Sequence, residues 1–473
     1  MSNIRDLLFA EPETATTASA NDPAKGGAST AGAPSAGYSM LPSTMRRAQS
    51  TTFKDELKNR IHRRLLESIE LSSLVLQDEK SVAGLIEHTV QQLLAEEKLP
   101  LTAEQKQELA SAVLNETLGL GPLEPLLQDT EINDILVNGY DNVWVDRNGR
   151  LMPTEIRFKD EEHLLHVVNR VVARVGRRID ESSPIVDARL PDGSRVNAII
   201  PPLSLDGPLL SIRRFRPTPY EFEDLTRAGT VSEQMAEFLK LAVQARLNIM
   251  VSGGTSAGKT TLLNVLSYHI SDSERIITIE DTAELRLQQR HVLRLESRPS
   301  NVEGRGAVPQ RELVKNALRM RPDRIVVGEV RGSEALDMLQ AMNTGHEGSL
   351  TTIHANTPRD ALSRLETLVL LSGVDLHQRS IREQIASALD LIIQVKRLPD
   401  GSRKVVSVSE VTGVQESMIS LQELYTFKQV ELTKQGKIIG NHSACGLRPY
   451  VENKFRDAGI TLPSHLFEGV ERE

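Results

Sequence analysis

One octapeptide, Gly253-Gly254-Thr255-Ser256-Ala257-Gly258-Lys259-Thr260, constrains this chain more than any other stretch. It satisfies G-x-x-x-x-G-K-[ST] in full, follows the apolar run Ile249-Met250-Val251 and precedes Leu262-Leu263-Asn264-Val265-Leu266, so strand, loop and helix are predicted in that order. Glycines suit such a loop because its backbone N–H groups must point at an anion with no side chain in the way, and the helix dipole adds attraction. Residues Gly253 to Thr261 are therefore the expected phosphate cradle. Lys259 is placed to reach the β- and γ-phosphates of ATP, and the Thr260 hydroxyl offers a hard oxygen to Mg²⁺.

Composition narrows the field around that loop. The 473 residues suffice for about three domains of 100 to 200 residues. With 56 basic against 64 acidic residues, a net charge of −8 and 3% aromatic residues, neither a phosphate-tracking field nor many base-stacking platforms is present. Nucleic acid is thus not the expected partner. The single cysteine, Cys445, can form neither an internal disulfide nor a cysteine-based structural zinc site, which suits a reducing compartment. No stretch approaches the roughly 18 apolar residues of a spanning helix, so a cytoplasmic chain is expected, able to dock on a membrane from outside.

Residues 1–50 read as a disordered tail, because Glu11 to Gly37 offers no Leu, Ile, Val, Met or aromatic side chain to offset ordering entropy. A helical bundle is expected over 51–118: Phe53, Leu57, Ile61, Leu65 and Ile69 recur every fourth residue, a second helix runs from Ser81 to Glu97, and a third follows a Thr102/Gln105 capping box. Short β-rich runs separated by Asn138-Gly139 and Asn148-Gly149 predict a mixed α+β lobe over 119–215. Two prolines and a glycine within 216–230 suggest a linker. From 231 to 473, apolar runs alternating with helical stretches predict an α/β lobe built on a parallel sheet, with a C-terminal extension.

Two further strands end in carboxylates. Arg324-Ile325-Val326-Val327-Gly328-Glu329 presents Glu329, and Ile276 to Ile279 leads into Glu280-Asp281, with Glu284 one turn on. Ligand chemistry in an open α/β sheet gathers at such strand ends. Glu329 suits water activation or metal holding, against the plainer reading of a surface carboxylate. Glu280 and Glu284 divide evenly between site and solvated residues.

These motifs, with Thr344-Gly345-His346-Glu347-Gly348-Ser349-Leu350-Thr351-Thr352-Ile353-His354-Ala355-Asn356, resemble the four boxes of the secretion and type IV pilus motor ATPases. Pro184 to Ala198 and Ser211-Ile212-Arg213-Arg214-Phe215 look like the CpaF branch, which powers Tad pili. The resemblance spans about Phe53 to Arg397. It implies a RecA-like ATPase lobe, a toroidal homo-hexamer, and ATP hydrolysis coupled to pilin movement through inner-membrane platform proteins, at the cytoplasmic face of that membrane. It also implies catalytic or metal-holding roles for Glu280, Glu329 and Thr260, phosphate sensing or strand-to-site coupling by His346 and His354, and closure of Arg195, Arg213 and Arg214 over the γ-phosphate. Arginine suits that last role, since its planar fork pairs bidentately with phosphate oxygens. Two departures matter. The zinc-ligating cysteine pairs of other branches are missing, and the second acidic box ends in Gly328-Glu329 where many P-loop enzymes carry Asp-Glu, so metal contact falls partly to Glu280.

Three functions remain open at this point: a motor for pilus assembly, with retraction a second direction; a motor translocating DNA or effector protein in a type IV-like secretion system; and a non-motor P-loop kinase or regulator. Nucleic-acid-stimulated turnover separates the second, and a phosphorylated small-molecule product the third.

Overall fold

The structure is a computed structural model that describes residues 57–58, 60–65, 79–96, 102–117, 119–147, 149–174, 176–190, 192–214, 219–298, 300, 305–433 and 436–469. The expected tail over 1–50 lies outside the described residues, as do Phe53 and Ile69 of the first helical stripe. The chain divides into two compact units between Phe215 and Arg216.

In the first unit, helices α1 (Glu79–Glu96) and α2 (Ala103–Thr117) pack with Leu57, Ile61 and Leu65 around Ile86, Val90 and Val113. The Thr102/Gln105 capping box forms: the Gln105 N–H donates to Thr102 Oγ1 at 3.2 Å and the Thr102 N–H to Gln105 Oε1 at 3.0 Å. A short helix α3 (Glu124–Gln128) leads into strands β1 (Ile132–Asn138), β2 (Val143–Arg147) and β3 (Arg150–Pro153). Gly139 and Gly149 adopt φ of 90° and 86° at the two hairpin turns, conformations that favour glycine. Helix α4 (Glu161–Arg174) then buries Leu164, Val167, Val168, Val171 and Val172 under a sheet completed by β4 (Ile185–Arg189), β5 (Arg195–Ile199) and β6 (Leu209–Arg213), in the order β3-β2-β1-β6-β5-β4.

The second unit opens with α5 (Phe222–Arg227) and α6 (Glu233–Gln244). Part of the expected linker is therefore packed helix, because Phe222 and Leu225 fall three residues apart and bury in this unit's core, with Glu221 and Asp224 capping the turn. Strands β7 (Ile249–Gly253), β8 (Ile276–Glu280), β9 (Val292–Glu296), β10 (Arg324–Val327), β11 (Leu350–Ile353) and β12 (Leu391–Arg397) run parallel. They alternate with helices α7 (Lys259–Ser267), α8 (Gln310–Ala317), α9 (Glu334–Asn343), α10 (Pro358–Leu370) and α11 (Gln378–Ala388). Their order, β12-β7-β11-β10-β8-β9, puts β11 between the phosphate-loop strand and the strand leading to Glu329. This is the expected RecA-like α/β lobe. The central strands are buried along their length, as a sheet covered on both faces requires. The extension adds antiparallel strands β13 (Arg403–Gln415), β14 (Met418–Leu432) and β15 (Ile438–Ala444) beyond β12, followed by α12 (Glu452–Asp457). Among the described residues no helix is long and apolar enough to cross a membrane.

Candidate functional site

The phosphate loop turns from β7 into α7 through two left-handed residues, Ser256 at φ 57° and Gly258 at φ 100°. Lys259 is 8% exposed, and its ammonium donates to the Gly254 carbonyl at 3.2 Å, across the mouth of the loop. Thr260 and Thr261 follow in the first turn of α7, at the helix end that attracts anions. A Cβ on Gly253 would meet the Val395 carbonyl at 2.5 Å, so the first loop position admits no side chain.

Because the strands are parallel and in register, the C-terminal end of β8 and the residues after β10 and β11 reach the same sheet edge. Glu280 ends β8. Its Oε1 accepts N–H bonds from Glu284 at 2.8 Å and Leu285 at 3.0 Å, while Oε2 is buried with no partner. Burial dominates and pushes its carboxyl up to about 7, against those two N–H bonds. Glu284 thus supports Glu280 through its backbone. Glu329 lies two residues beyond β10, its Oε1 3.1 Å from His354 Nε2, and His354 follows β11 directly. Burial and then the Lys259 charge lower the His354 pKa, with Glu329 pulling it upward. Arg331 bridges Asp281 at 2.6 Å and approaches Glu329 at 3.9 Å.

Gly328 explains the missing aspartate. A Cβ there would sit 2.8 Å from Glu280 Cγ, so the Glu280 side chain fills the room that a side chain at 328 would take. One carboxylate is lost from β10 and replaced by one from β8. Thr260, Glu280 and Glu329 offer oxygen atoms of the kind Mg²⁺ takes.

The structure divides the two histidines. His346 precedes β11 at the opposite sheet edge, where its carbonyl accepts from Ser349 Oγ at 2.8 Å and its Nδ1 is buried without a partner. Four strand residues separate it from His354, so it does not join the phosphate loop of its own chain. The first-unit arginines divide as well. Arg195 pairs directly with Arg213 across β5 and β6, and with Arg189 across β4 and β5, so the three share one sheet face. Arg214 instead turns its guanidinium onto the carbonyls of Leu126, Asp129 and Ile132, tying the end of α3 to the sheet. Sequence reasoning missed Arg189 and Arg331. Arg189 was findable, since it mirrors Arg195 about the turn at Asp192.

The chain is similar to known proteins over much of its length. The type II/IV secretion system protein family matches residues 116–439, and the N-terminal domain of type II secretion system protein E matches residues 54–118. A Mycobacterium tuberculosis protein named for conjugal transfer is 42% identical over 300 residues, covering 62% of this chain and 85% of the relative. The type IV secretion system protein VirB11 of Bartonella henselae is 32% identical over 326 residues, covering 61% and 91%. The sulfate-bound crystal structure of the Brucella suis VirB11 ATPase is 29% identical, covers 61% of this chain and 92% of that one, and superposes with a TM-score of 0.34. Matched over more than half its length, the chain belongs to the type II/IV secretion system protein family.

Proposed function

We propose that the chain is a motor ATPase that works as a homo-hexamer and converts ATP hydrolysis into conformational work for a secretion or pilus machine. One observation carries the chemistry: a complete phosphate loop, a buried glutamate with an orphaned oxygen, and a histidine-bonded glutamate share one sheet edge. The loop amides and Lys259 bind the β- and γ-phosphates. Glu329, oriented by His354, holds the attacking water and takes its proton as the γ-phosphoryl group leaves ADP. Thr260, Glu280 and Glu329 would hold Mg²⁺, which when bound neutralises developing phosphate charge. Arg195 and Arg213, with Arg189, serve as the mobile cations that complete γ-phosphate binding, in their own subunit or a neighbour.

The machine we propose is a Tad-type pilus, served from the cytoplasmic face of the inner membrane. Its support is the resemblance of Pro184 to Phe215 to the CpaF branch, together with a net charge of −8 that disfavours direct handling of DNA. A type IV-like secretion motor is the second reading, favoured by relatives named for conjugal transfer and for type IV secretion. Phosphate release by purified protein tests the enzyme. Replacing the chromosomal gene with the Lys259→Ala allele, then scoring surface pili and DNA transfer, tests the machine: loss of pili alone supports the first reading, and loss of transfer alone the second.

A further inference from the structure

The hairpin between β12 and β13 lies beside the phosphate loop, because Val395 pairs with Gly253. It sets Arg397 opposite Arg403 and Lys396 opposite Lys404. Consecutive strand residues leave on opposite faces, and Arg403 and Lys404 do so to different effect. Arg403 Nε donates to the Ser256 carbonyl at 3.1 Å, and its Cδ lies 3.3 Å from where a Cβ on Gly258 would be. Lys404 Nζ donates to the Gly229 carbonyl, and the backbone repeats the link with Val405 N–H donating to the Thr230 carbonyl at 2.9 Å. Gly229 belongs to the stretch that enters this unit after the boundary at Arg216. The hairpin turn is itself fixed, since Asp400 accepts from Ser402 and, at 2.9 Å, from the Ile438 N–H of β15.

Ser256 supplies the reason for such an anchor. It is a non-glycine residue at φ 57°, a conformation that costs about 1 kcal/mol or more and persists where neighbours hold it. A hydrogen bond from a rigid strand to its carbonyl is such a hold. The loop amides must keep their inward direction before phosphate arrives, and a shift of Ser256 would turn them.

We propose that Arg403 is a positioning residue of the phosphate loop, and that the Arg403-Lys404 pair links occupancy of that loop to the Gly229–Thr230 segment leading from the first unit. The idea rests on the loop being a nucleotide site. Phosphate bound at the loop draws on Ser256, and β13 carries the displacement to Gly229 without any contribution from the first-unit arginines.

Three variants of the full-length chain test it: Arg403→Ala, Arg403→Lys and Lys404→Met, each checked for folding by thermal melting. Arg403→Ala is expected to raise KM for ATP about tenfold while kcat stays within twofold, and Arg403→Lys to recover most of that loss through its remaining donor. Hydrogen exchange with saturating ATPγS reads the link: protection of Gly229 to Val231 increases at least fivefold in the wild type and not in Arg403→Ala. Lys404→Met loses the same response with KM within twofold. A wild-type KM in Arg403→Ala, or undiminished nucleotide-dependent protection in either Arg403→Ala or Lys404→Met, overturns the proposal. So does a folded Arg403→Ala that binds no nucleotide at all, which would make Arg403 a ligand of the nucleotide. If Arg403→Ala does not fold, Arg403→Lys and Lys404→Met carry the same two readouts. A wild type that binds no fluorescent ATP analogue would be seen first and would remove the nucleotide reading itself.

Discussion

Glu116 in the first unit and Glu280 in the second are 8% and 3% exposed, yet their carboxyls stand at opposite ends of the titration range. Burial pushes both upward. At Glu116 the push is overcome by the His163 hydrogen bond and the Lys58 charge, with Lys58 Nζ at 3.0 Å, and the carboxyl falls to about 2. Arg170 closes the cluster by donating to the Glu116 carbonyl at 2.6 Å, which joins α2 to α4. Glu280 has two backbone N–H bonds on one oxygen and nothing on the other, and it rises to about 7. The first carboxylate has its partners inside the fold. The second has one oxygen without a partner in the fold, which fits the metal-holding role proposed for it.

The largest effects are expected where the second kind of chemistry resides. Lys259→Ala should cut ATP turnover by at least about 10³-fold with the fold retained, since a phosphate charge is lost while the loop backbone persists. Phosphate release measured beside a thermal melt checks this, and wild-type turnover would show that the loop is not the site. Glu329→Gln should cost about 10²-fold in turnover while ATP binding stays within several-fold, because water activation goes and the cradle remains. Failure of that variant to bind ATP would move Glu329 from proton acceptor to indispensable ligand.

The loop and its flanking strand and helix were legible from Ile249 to Leu266 because spacing, glycine content and context all follow local rules. The same holds for the Thr102/Gln105 cap and the Asn-Gly turns. The two histidines were not separable, since a motif reads linearly whereas β11 carries His346 and His354 to opposite sheet edges. Arg213 and Arg214 look like a pair in sequence for the same reason. Strand alternation aims one at a row of arginines and turns the other onto three carbonyls. The exchange of a carboxylate between Gly328 and Glu280 depends on the parallel pairing of β10 with β8, a contact between residues far apart in sequence. Arg403 at the phosphate loop is equally non-local.

The arginine row gives the next effect in size. Arg189, Arg195 and Arg213 stand side by side on neighbouring strands, with Asp134 of β1 opposite Arg213, and this row carries the cations proposed above for the γ-phosphate. Arg195→Ala combined with Arg213→Ala should lower turnover about tenfold, or about 1.4 kcal/mol of transition-state stabilisation, with ATP binding within several-fold. Arg214→Ala should instead lower the melting temperature and leave turnover per folded molecule unchanged. The reverse pattern would show that Arg214 carries the phosphate contact.

The smallest effects compare the two glutamates directly. Glu116 has a folded pKa below the ordinary carboxylate value of 4.5, so its stabilisation is fully present above that value and is lost as pH falls toward about 2. Glu116→Gln should therefore cost about 1 kcal/mol at pH 7, with the difference from wild type shrinking under acid. Glu280 has a folded pKa above 4.5, so the stability of the neutral form is fully present below that value and is lost as pH rises through about 7. Glu280→Gln should match the wild type near pH 5 and melt a degree or two higher at pH 8 in magnesium- and nucleotide-free buffer, because the amide never acquires the buried charge. Adding Mg²⁺ and ATP should reverse that order by stabilising the carboxylate-bearing wild type more than the variant. A Glu280→Gln melting curve that runs parallel to wild type from pH 5 to 8, or a Glu116→Gln deficit that does not shrink between pH 5 and pH 2, would mean that partner number does not set the fate of these carboxyls, and the contrast between Glu116 and Glu280 would fail.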